Sequence, residues 1–441
     1  MKKLLSGFLS IILIIGLVGL CRAEEAASKV SVGGDMRIRG QVTKNNTDLN
    51  SKVYDNDQIY RHRVRLWIKG EVEEGYSGYV RLATEPRWGR QDTTYNDCSA
   101  KAEWTNHLII DNAYLEAKNF LGTPLNLKIG RQDLTYGEGF LVFEGTPADG
   151  SRTIYFDAIK LSGVFGPNTV DLFTAKPDEK NYKSNDDEDV YGLYITNKSL
   201  ADHTLDLYAL QREQRDAIIK ENNAERHTKH STTAVGVRAS GKLIENLTYA
   251  AEVAKEFGTY DKRGNDLDRD AIGGLASLTY AMPEVPTQPS IKLGAYYTSG
   301  DDSDTTDKNE AWDGFYSEFP KYGYGDLLIN LTMLDKTMLD KGEGTWTNHL
   351  IYEVDLKTNP LPKMTASLGY LYLAANEAPR GASKVRGRCP QAQVAYQFTP
   401  SVSGHALVQY FQSGNYYVDT NPTVASTDDA VWGRVEMAIK F

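Results

Sequence analysis

The chain is poor in cysteine and histidine and, beyond its first residues, has no long apolar run. Three cysteines in 441 residues are too few for a disulfide-stapled scaffold. Only Cys98 and Cys389 follow the N-terminal segment, and in an exported chain these two could pair. No apolar stretch after residue 23 approaches the roughly 20 residues that a membrane helix needs, so spanning helices are excluded. The seven histidines form no catalytic pattern. His227 and His230 stand in HTKH, which lacks the HExxH arrangement of a zinc helix and reads as a solvated, charged loop. No serine sits in a GxSxG elbow, and no Walker-type loop is present to bind nucleotide. Asp266, Asp268 and Asp270 have the spacing of a calcium loop without its sixth-position glycine or twelfth-position glutamate. Asp301, Asp302, Asp304 and Asp307 cluster without any ligand pattern, so no cofactor is expected beyond weak calcium binding at these loops.

Acidic residues dominate. Residues 1–23 have a signal-peptide layout, with Lys2 and Lys3 before an apolar stretch from Leu4 to Leu20 and small residues Cys21 and Ala23 at its end. Cleavage after Ala23 leaves residues 24–441 with 46 basic and 59 acidic side chains, a net charge of −13. That balance argues against a nucleic-acid partner.

What is abundant is alternation. The final residues, VWGRVEMAIKF, place Val431, Gly433, Val435, Met437, Ile439 and Phe441 on one parity and Trp432, Arg434, Glu436, Ala438 and Lys440 on the other. This is a period-two strand with one apolar and one wet face, and a bilayer is the expected cover for the apolar one. Closed β-barrels cross membranes with such strands, whose average hydropathy stays low. Seventeen further alternating segments precede it, giving eighteen strands, with sixteen the nearest alternative count. Long connections rich in Asp, Asn, Gly and Lys follow odd strands, and connections of seven residues or fewer follow even ones. The expected fold class is therefore all-β, a transmembrane antiparallel up-and-down barrel whose long loops are extracellular and whose termini are both periplasmic. The first strand would pair with the last and leave no open edge.

Charges on a lipid face are costly at mid-depth, so parity assigns the faces. Arg61, Arg63, Arg65, Trp67, Lys69 and Glu71 point inward from the second strand, while Tyr60, Val64, Leu66, Ile68 and Val72 point outward. The same rule sends Arg37, Arg39, Arg81, Lys128, Arg238 and Arg434 into the lumen. Tyr79, Tyr114 and Tyr208 would stand among these charges as rings and hydroxyls on which sugars could slide. The fifteenth and seventeenth strands are apolar or mixed on both faces, and parity does not orient them. Arg61, Arg63 and Arg65 form a ladder that reads either as a positive wall for anionic solutes or as bracing by ion pairs with Glu71, Glu85 and Glu116.

Gly130-Arg131-Gln132, Tyr136-Gly137-Glu138-Gly139, Arg152 and Phe156-Asp157-Ala158-Ile159-Lys160-Leu161 together resemble the hallmark of the alginate export porin family. Phe315 through Tyr322-Gly323-Tyr324-Gly325-Asp326 is similar to that family's aromatic segment in a long later loop. The resemblance implies an eighteen-stranded outer-membrane barrel passing an anionic polysaccharide or related acidic solute through an arginine-lined lumen. It also implies Arg131 and Arg152 near the constriction, positioned with the help of Asp157. Strict alternation, however, puts Arg131 on the parity of Leu127 and Ile129, so a bulge must re-aim it or it sits above the membrane. The expected partners are outer-membrane lipid and lipopolysaccharide, the barrel assembly machinery acting through Phe441, and the solute itself. A general diffusion porin with structural lumen charges is the alternative, and a barrel hydrolase is the remote one.

Overall fold

The computed structural model describes residues 29–46, 49–52, 57–88, 108–142, 155–178, 188–221, 224–262, 265–317, 323–325, 327, 346–420 and 426–441. The signal-peptide segment, Cys98 and Arg152 lie outside the described residues.

Eighteen wall strands close into one antiparallel barrel. In chain order they are β1 (Lys29–Lys44), β2 (Asp57–Glu73), β3 (Tyr76–Thr84), β4 (Ile109–Ala117), β5 (Leu125–Gln132), β6 (Phe156–Phe165), β7 (Asn168–Asp178), β8 (Glu188–Asn197) and β9 (His203–Glu221). They continue with β10 (Ala224–Ile244), β11 (Leu247–Lys262), β12 (Asn265–Ala281), β13 (Ser290–Thr298), β15 (His349–Leu361), β16 (Met364–Ala374), β17 (Val385–Thr399), β18 (Val402–Ser413) and β19 (Ala430–Lys440). The two-residue β14 (Lys308–Asn309) lies in the loop after β13 and pairs parallel with β12. Closure is by β1 on β19, with Met36 opposite Ile439 and Val42 opposite Gly433. Phe441 extends the seam by exchanging backbone hydrogen bonds with Gly34 at 2.8 and 3.0 Å. Because every wall strand has two neighbours, the backbone groups are satisfied within the sheet, as a bilayer requires.

The pleat explains the surface. Leu66, Ile68, Val80, Leu115, Leu172, Leu293 and Val435 are exposed on the outside, the apolar band that lipid covers. Exposed Tyr76, Phe165, Tyr280, Tyr396 and Phe398 stand beside the tight turns, where one aromatic girdle belongs. The turn between β2 and β3 has two residues, and its Gly75 takes φ 86°, a conformation costly to other residues.

The two strands that sequence alternation left unoriented now have faces. Leu368 and Tyr370 of β16 are exposed outward while Leu371 and Leu373 are buried, and in β18 Val408 and Tyr410 face out while Leu407, Gln409 and Phe411 face in. Leucines and a phenylalanine on these inward faces, beside the buried Gln409, remove the polar signature of a wet lumen. A second correction concerns the connections after β9 and β11. These are hairpins, with Glu221 opposite Ala224 and Lys262 opposite Asn265, so the stretch containing His227 and His230 is strand. The largely polar sequence of these stretches hides the alternation that marks a strand in lipid.

Candidate functional site

On β1, β2 and β19 the inward positions meet in register. Arg37 lies opposite Arg63, Arg39 opposite Arg61, and Asp35 opposite Arg65, while Arg39 also faces Glu436 across the closing seam. Arg37 donates to Glu85 at 2.6 Å, and Arg39 donates to Glu436 at 2.6 Å. Arg61 stands 4.0 Å from Glu85, and Arg63 stands 3.8 Å from Asp35. Arg65 donates through Nε to both Asp35 oxygens at 3.0 and 2.8 Å. Arg434 donates to Nε2 of His405 at 2.9 Å and lies over the Trp432 ring at 5.2 Å. Arg37, Arg39 and Arg61 are 1–3% exposed, whereas the Arg65 side chain keeps 17%. The arc is thus an ordered guanidinium wall interleaved with carboxylates.

Several of those carboxylates were not anticipated. Glu85 lies 4.0 Å from Arg61 of the ladder, whereas Glu116 pairs with Lys69 at 3.8 Å rather than with a ladder arginine, and Asp35, Asp111 and Asp133 also take part. Arg81 donates to Asp111 at 2.9 Å and to Asp133 at 3.2 Å. Asp111 has the parity of a lipid-facing residue, yet it is fully buried. The pairing of β3 with β4 shifts register there, with Arg81 opposite Asn112 and Leu82 opposite Ile110. Asp111 is therefore the extra residue of a bulge, which leaves it turned inward beside Asn112.

The expectation for Arg131 and Asp157 is corrected. They lie directly opposite each other on β5 and β6, on the same face as Ile129 and Ile159, both of which are exposed on the outside. Arg131 donates to both Asp157 oxygens at 2.9 Å and stacks on Tyr155 at 3.8 Å. No bulge re-aims it between these strands, so the pair stands outside the barrel wall rather than at a constriction. Lys128 and Lys160, on the opposite parity, face inward, with Lys128 held 3.8 Å above the Tyr114 ring. Arg238 reaches Asp206 at 3.1 Å, Glu138 at 3.6 Å and Glu252 at 3.9 Å.

Glu138 belongs to a loop, and this is where the lumen narrows. The segment after β5 folds inward, burying Leu134, Phe140, Leu141 and Val142. Tyr136 stacks on Tyr194 and Phe173 with centroids 4.4 and 5.4 Å apart, and its hydroxyl donates to Asp171 at 3.0 Å. Burial and the Asp171 carboxylate raise the Tyr136 hydroxyl well above a phenol's ordinary range, so it remains a donor. Gly137, at φ 59°, abuts Arg238, and a Cβ there would come within 2.9 Å of the arginine chain.

The long loop after β13 meets this segment inside the barrel. Phe140 stacks on Trp312 at 5.2 Å, and the Tyr316 N–H donates to the Leu141 carbonyl at 3.0 Å. Asp313 accepts from Arg212 and from the Phe315 N–H, while its own N–H donates to Glu256 at 2.9 Å. Burial alone would raise the Asp313 carboxyl, but Arg212 and Arg269 beside it outweigh that and hold it below the ordinary carboxylate value. Burial, followed by the Glu188 carboxylate, pushes the Tyr316 hydroxyl far up, so it stays a donor to Glu188. Farther along, the Tyr324 hydroxyl donates to Asp355, its N–H donates to Gln391 at 3.0 Å, and its carbonyl accepts from Arg434 at 3.4 Å. Gly325 lies on Trp432, where a Cβ would approach to 2.2 Å.

These two inserted segments include Tyr136–Gly139 and, of the Phe315–Asp326 stretch singled out in the sequence, the described residues Phe315–Ser317 and Gly323–Gly325. Their aromatic and glycine content was legible, but the sequence carried no sign that they pack on each other within the lumen. Among the described residues, no group of His, Cys, Asp and Glu side chains could hold a metal ion.

A family profile described as alginate export matches residues 28–334. Among curated proteins, none matches the chain in sequence. In fold the chain is similar to Pseudomonas aeruginosa OccK11 (OpdR), with a TM-score of 0.58 at 10% identity, covering 93% of this chain and 96% of that one. It is also similar to Acinetobacter baumannii OccAB1, with a TM-score of 0.57 at 11% identity over 93% and 97% of the two chains, and to P. aeruginosa OccK8 (OprE), with 0.56 at 12% identity over 94% and 98%. At such identities the likeness concerns the barrel fold alone. The profile match spans well over half of the 441 residues and takes in both inserted segments. The chain accordingly belongs to the alginate export family and is an outer-membrane β-barrel channel.

Proposed function

We propose that this channel passes anionic polysaccharide or small acidic, sugar-like solutes by diffusion, and that its arginine-rich lumen selects for them. One observation carries the reading: Arg434, Arg39, Arg37, Arg61, Arg63 and Arg65 occupy lumen-facing positions on three neighbouring strands, and the inserted segment at Tyr324 reaches Arg434. A low-dielectric wall carrying fixed guanidinium groups concentrates field lines and raises local anion concentration. Their carboxylate partners keep the forks aligned and still leave Arg65 reachable from the lumen. In this reading residues 1–23 are the export signal, the termini face the periplasm, and Phe441 at the seam is what the assembly machinery recognises. Outer-membrane lipid and lipopolysaccharide cover the apolar band.

A second reading, a general diffusion porin, draws on the near-complete burial of Arg37, Arg39 and Arg61 in ion pairs, which suits bracing. The zero-current potential of the purified protein in a planar bilayer under a salt gradient separates the two. The selective channel gives a potential of the sign set by anions, reduced in Arg63→Gln and Arg65→Gln. A large unselective conductance, unchanged in both variants, leaves only the diffusion porin.

A further inference from the structure

Toward the tight-turn end the lumen wall changes character. The inward residues of β2 run Arg61, Arg63, Arg65 and then Trp67 and Lys69, so guanidinium gives way to indole and ammonium within four residues. Across the next strands the rings continue. Trp67 stacks with Tyr79 at 6.0 Å and 24°, and Tyr79 with Tyr114 at 5.0 Å and 19°. The Lys128 ammonium closes the row 3.8 Å from the Tyr114 centroid. All of these side chains are only partly buried.

We propose that the row Trp67, Tyr79, Tyr114 and Lys128, with Lys69 beside it, binds one carboxylate-bearing sugar unit between the tight-turn mouth and the arginine arc. This deepens the function proposed above and rests on it. The charges distinguish the site from a structural stack. Lys69 is 3.8 Å from Glu116 and Lys160 is 3.0 Å from Asp171, whereas Lys128, which lies opposite Glu116 on the neighbouring strand, turns to the Tyr114 ring and makes no direct ion pair among the described residues. Its charge is held in place by a ring face and stays available to an anion. Gly130 lies opposite Tyr114 and supplies no side chain to cover the ring, and its φ of 123° with the Ala113 oxygen 2.3 Å from a notional Cβ reserves the position for glycine.

Aromatic surface and phenol hydroxyls suit the C–H faces and hydroxyls of a pyranose, and the ammonium groups suit its carboxylate. A solute bound here lies one step along β2 from Arg65, which would take the same carboxylate next.

The test is block of ion current in planar bilayers by an oligogalacturonate, with maltotriose as the neutral control. Lys128→Gln and Trp67→Ala should each raise the half-blocking oligogalacturonate concentration about tenfold, the loss of one good contact, with little change for maltotriose. Heat-modifiable electrophoretic mobility verifies that each variant is a folded barrel, and Trp67→Phe provides a milder replacement if the alanine variant fails to assemble. Half-block unchanged in both variants overturns the proposal. Sensitivity to Lys128→Gln without sensitivity at Trp67 also overturns it, because the rings would then take no part. Zero-current potentials separate this failure from that of the reading beneath it. An anion-selective channel with insensitive block loses only the subsite, and an unselective one loses both.

Discussion

Replacing Asp313 by asparagine should unlatch the loop that narrows the lumen. The wild-type carboxylate holds Arg212 of β9 on one oxygen and the Phe315 N–H on the other. Arg269 of β12 secures the same loop by donating to the Ala311 carbonyl at 2.7 Å and stands 3.8 Å from Glu256 of β11. The Arg212 and Asp313 side chains are 13% and 8% exposed, so the pair is nearly dry. Removing one partner of such a pair costs about 3–5 kcal/mol, because the remaining charge is left buried. The cost falls on loop docking rather than on the barrel, whose ladders do not involve Asp313. What still holds the loop includes the Trp312–Phe140 stack, worth about 0.5–1.5 kcal/mol beyond its burial, the Tyr316–Glu188 contact, the Arg269 bond to Ala311, the Tyr316 N–H bond to Leu141 and the pairing of β14 with β12. At about 1.4 kcal/mol per tenfold, the docked-to-undocked ratio should fall roughly a hundredfold or more. Single-channel recording should show Asp313→Asn with higher mean conductance and frequent stepwise fluctuation between two levels. Conductance and noise indistinguishable from wild type would refute the claim that this pair latches the loop.

The same carboxylate sets a pH dependence. Since the docked Asp313 is held below its ordinary value, its contribution is fully present above about pH 4 and is lost as pH falls through the depressed value. Conductance should stay level from neutrality to about pH 4 and rise below it, and Asp313→Asn should abolish that rise. Arg131→Ala should leave the zero-current potential unchanged, because its half-exposed pair with Asp157 stands on the outer face, and the stability cost should be at most about 1 kcal/mol. Gly130→Ala should lower the yield of heat-modifiable barrel, since positive φ and the contact with the Ala113 oxygen cost about 1–3 kcal/mol. Gly325→Leu should displace the Tyr324 segment from Trp432 and change the conductance, while the strand content measured by circular dichroism is retained.

The barrel was legible because lipid imposes period two wherever it touches a strand, and the β2 pattern from Tyr60 to Val72 is a plain instance. Legibility failed where that constraint lapses. Through the hairpins that join β9 to β10 and β11 to β12 the sequence is polar without clear alternation, so it reads as loop. Behind the inserted segments, β16 and β18 are dry on both faces and gave no orientation. Asp111 escaped parity through a bulge, a local event that alternation does not encode. The resemblance to a family pointed to the right loops but to the wrong face for Arg131 and Asp157, whereas the residue pattern around Ile129 had already placed Arg131 with the lipid side. Contacts such as Phe140 on Trp312 join residues far apart in sequence, and no local pattern announces them.

The lumen is expected to favour acidic sugars over neutral ones. Proteoliposomes containing the protein, loaded alternately with oligogalacturonate and with a neutral oligosaccharide of equal length, give the relative efflux rates directly. Faster efflux of the acidic oligomer, reduced in Arg65→Gln, is the expected result. Equal rates for the two, or faster passage of the neutral one, would contradict the account.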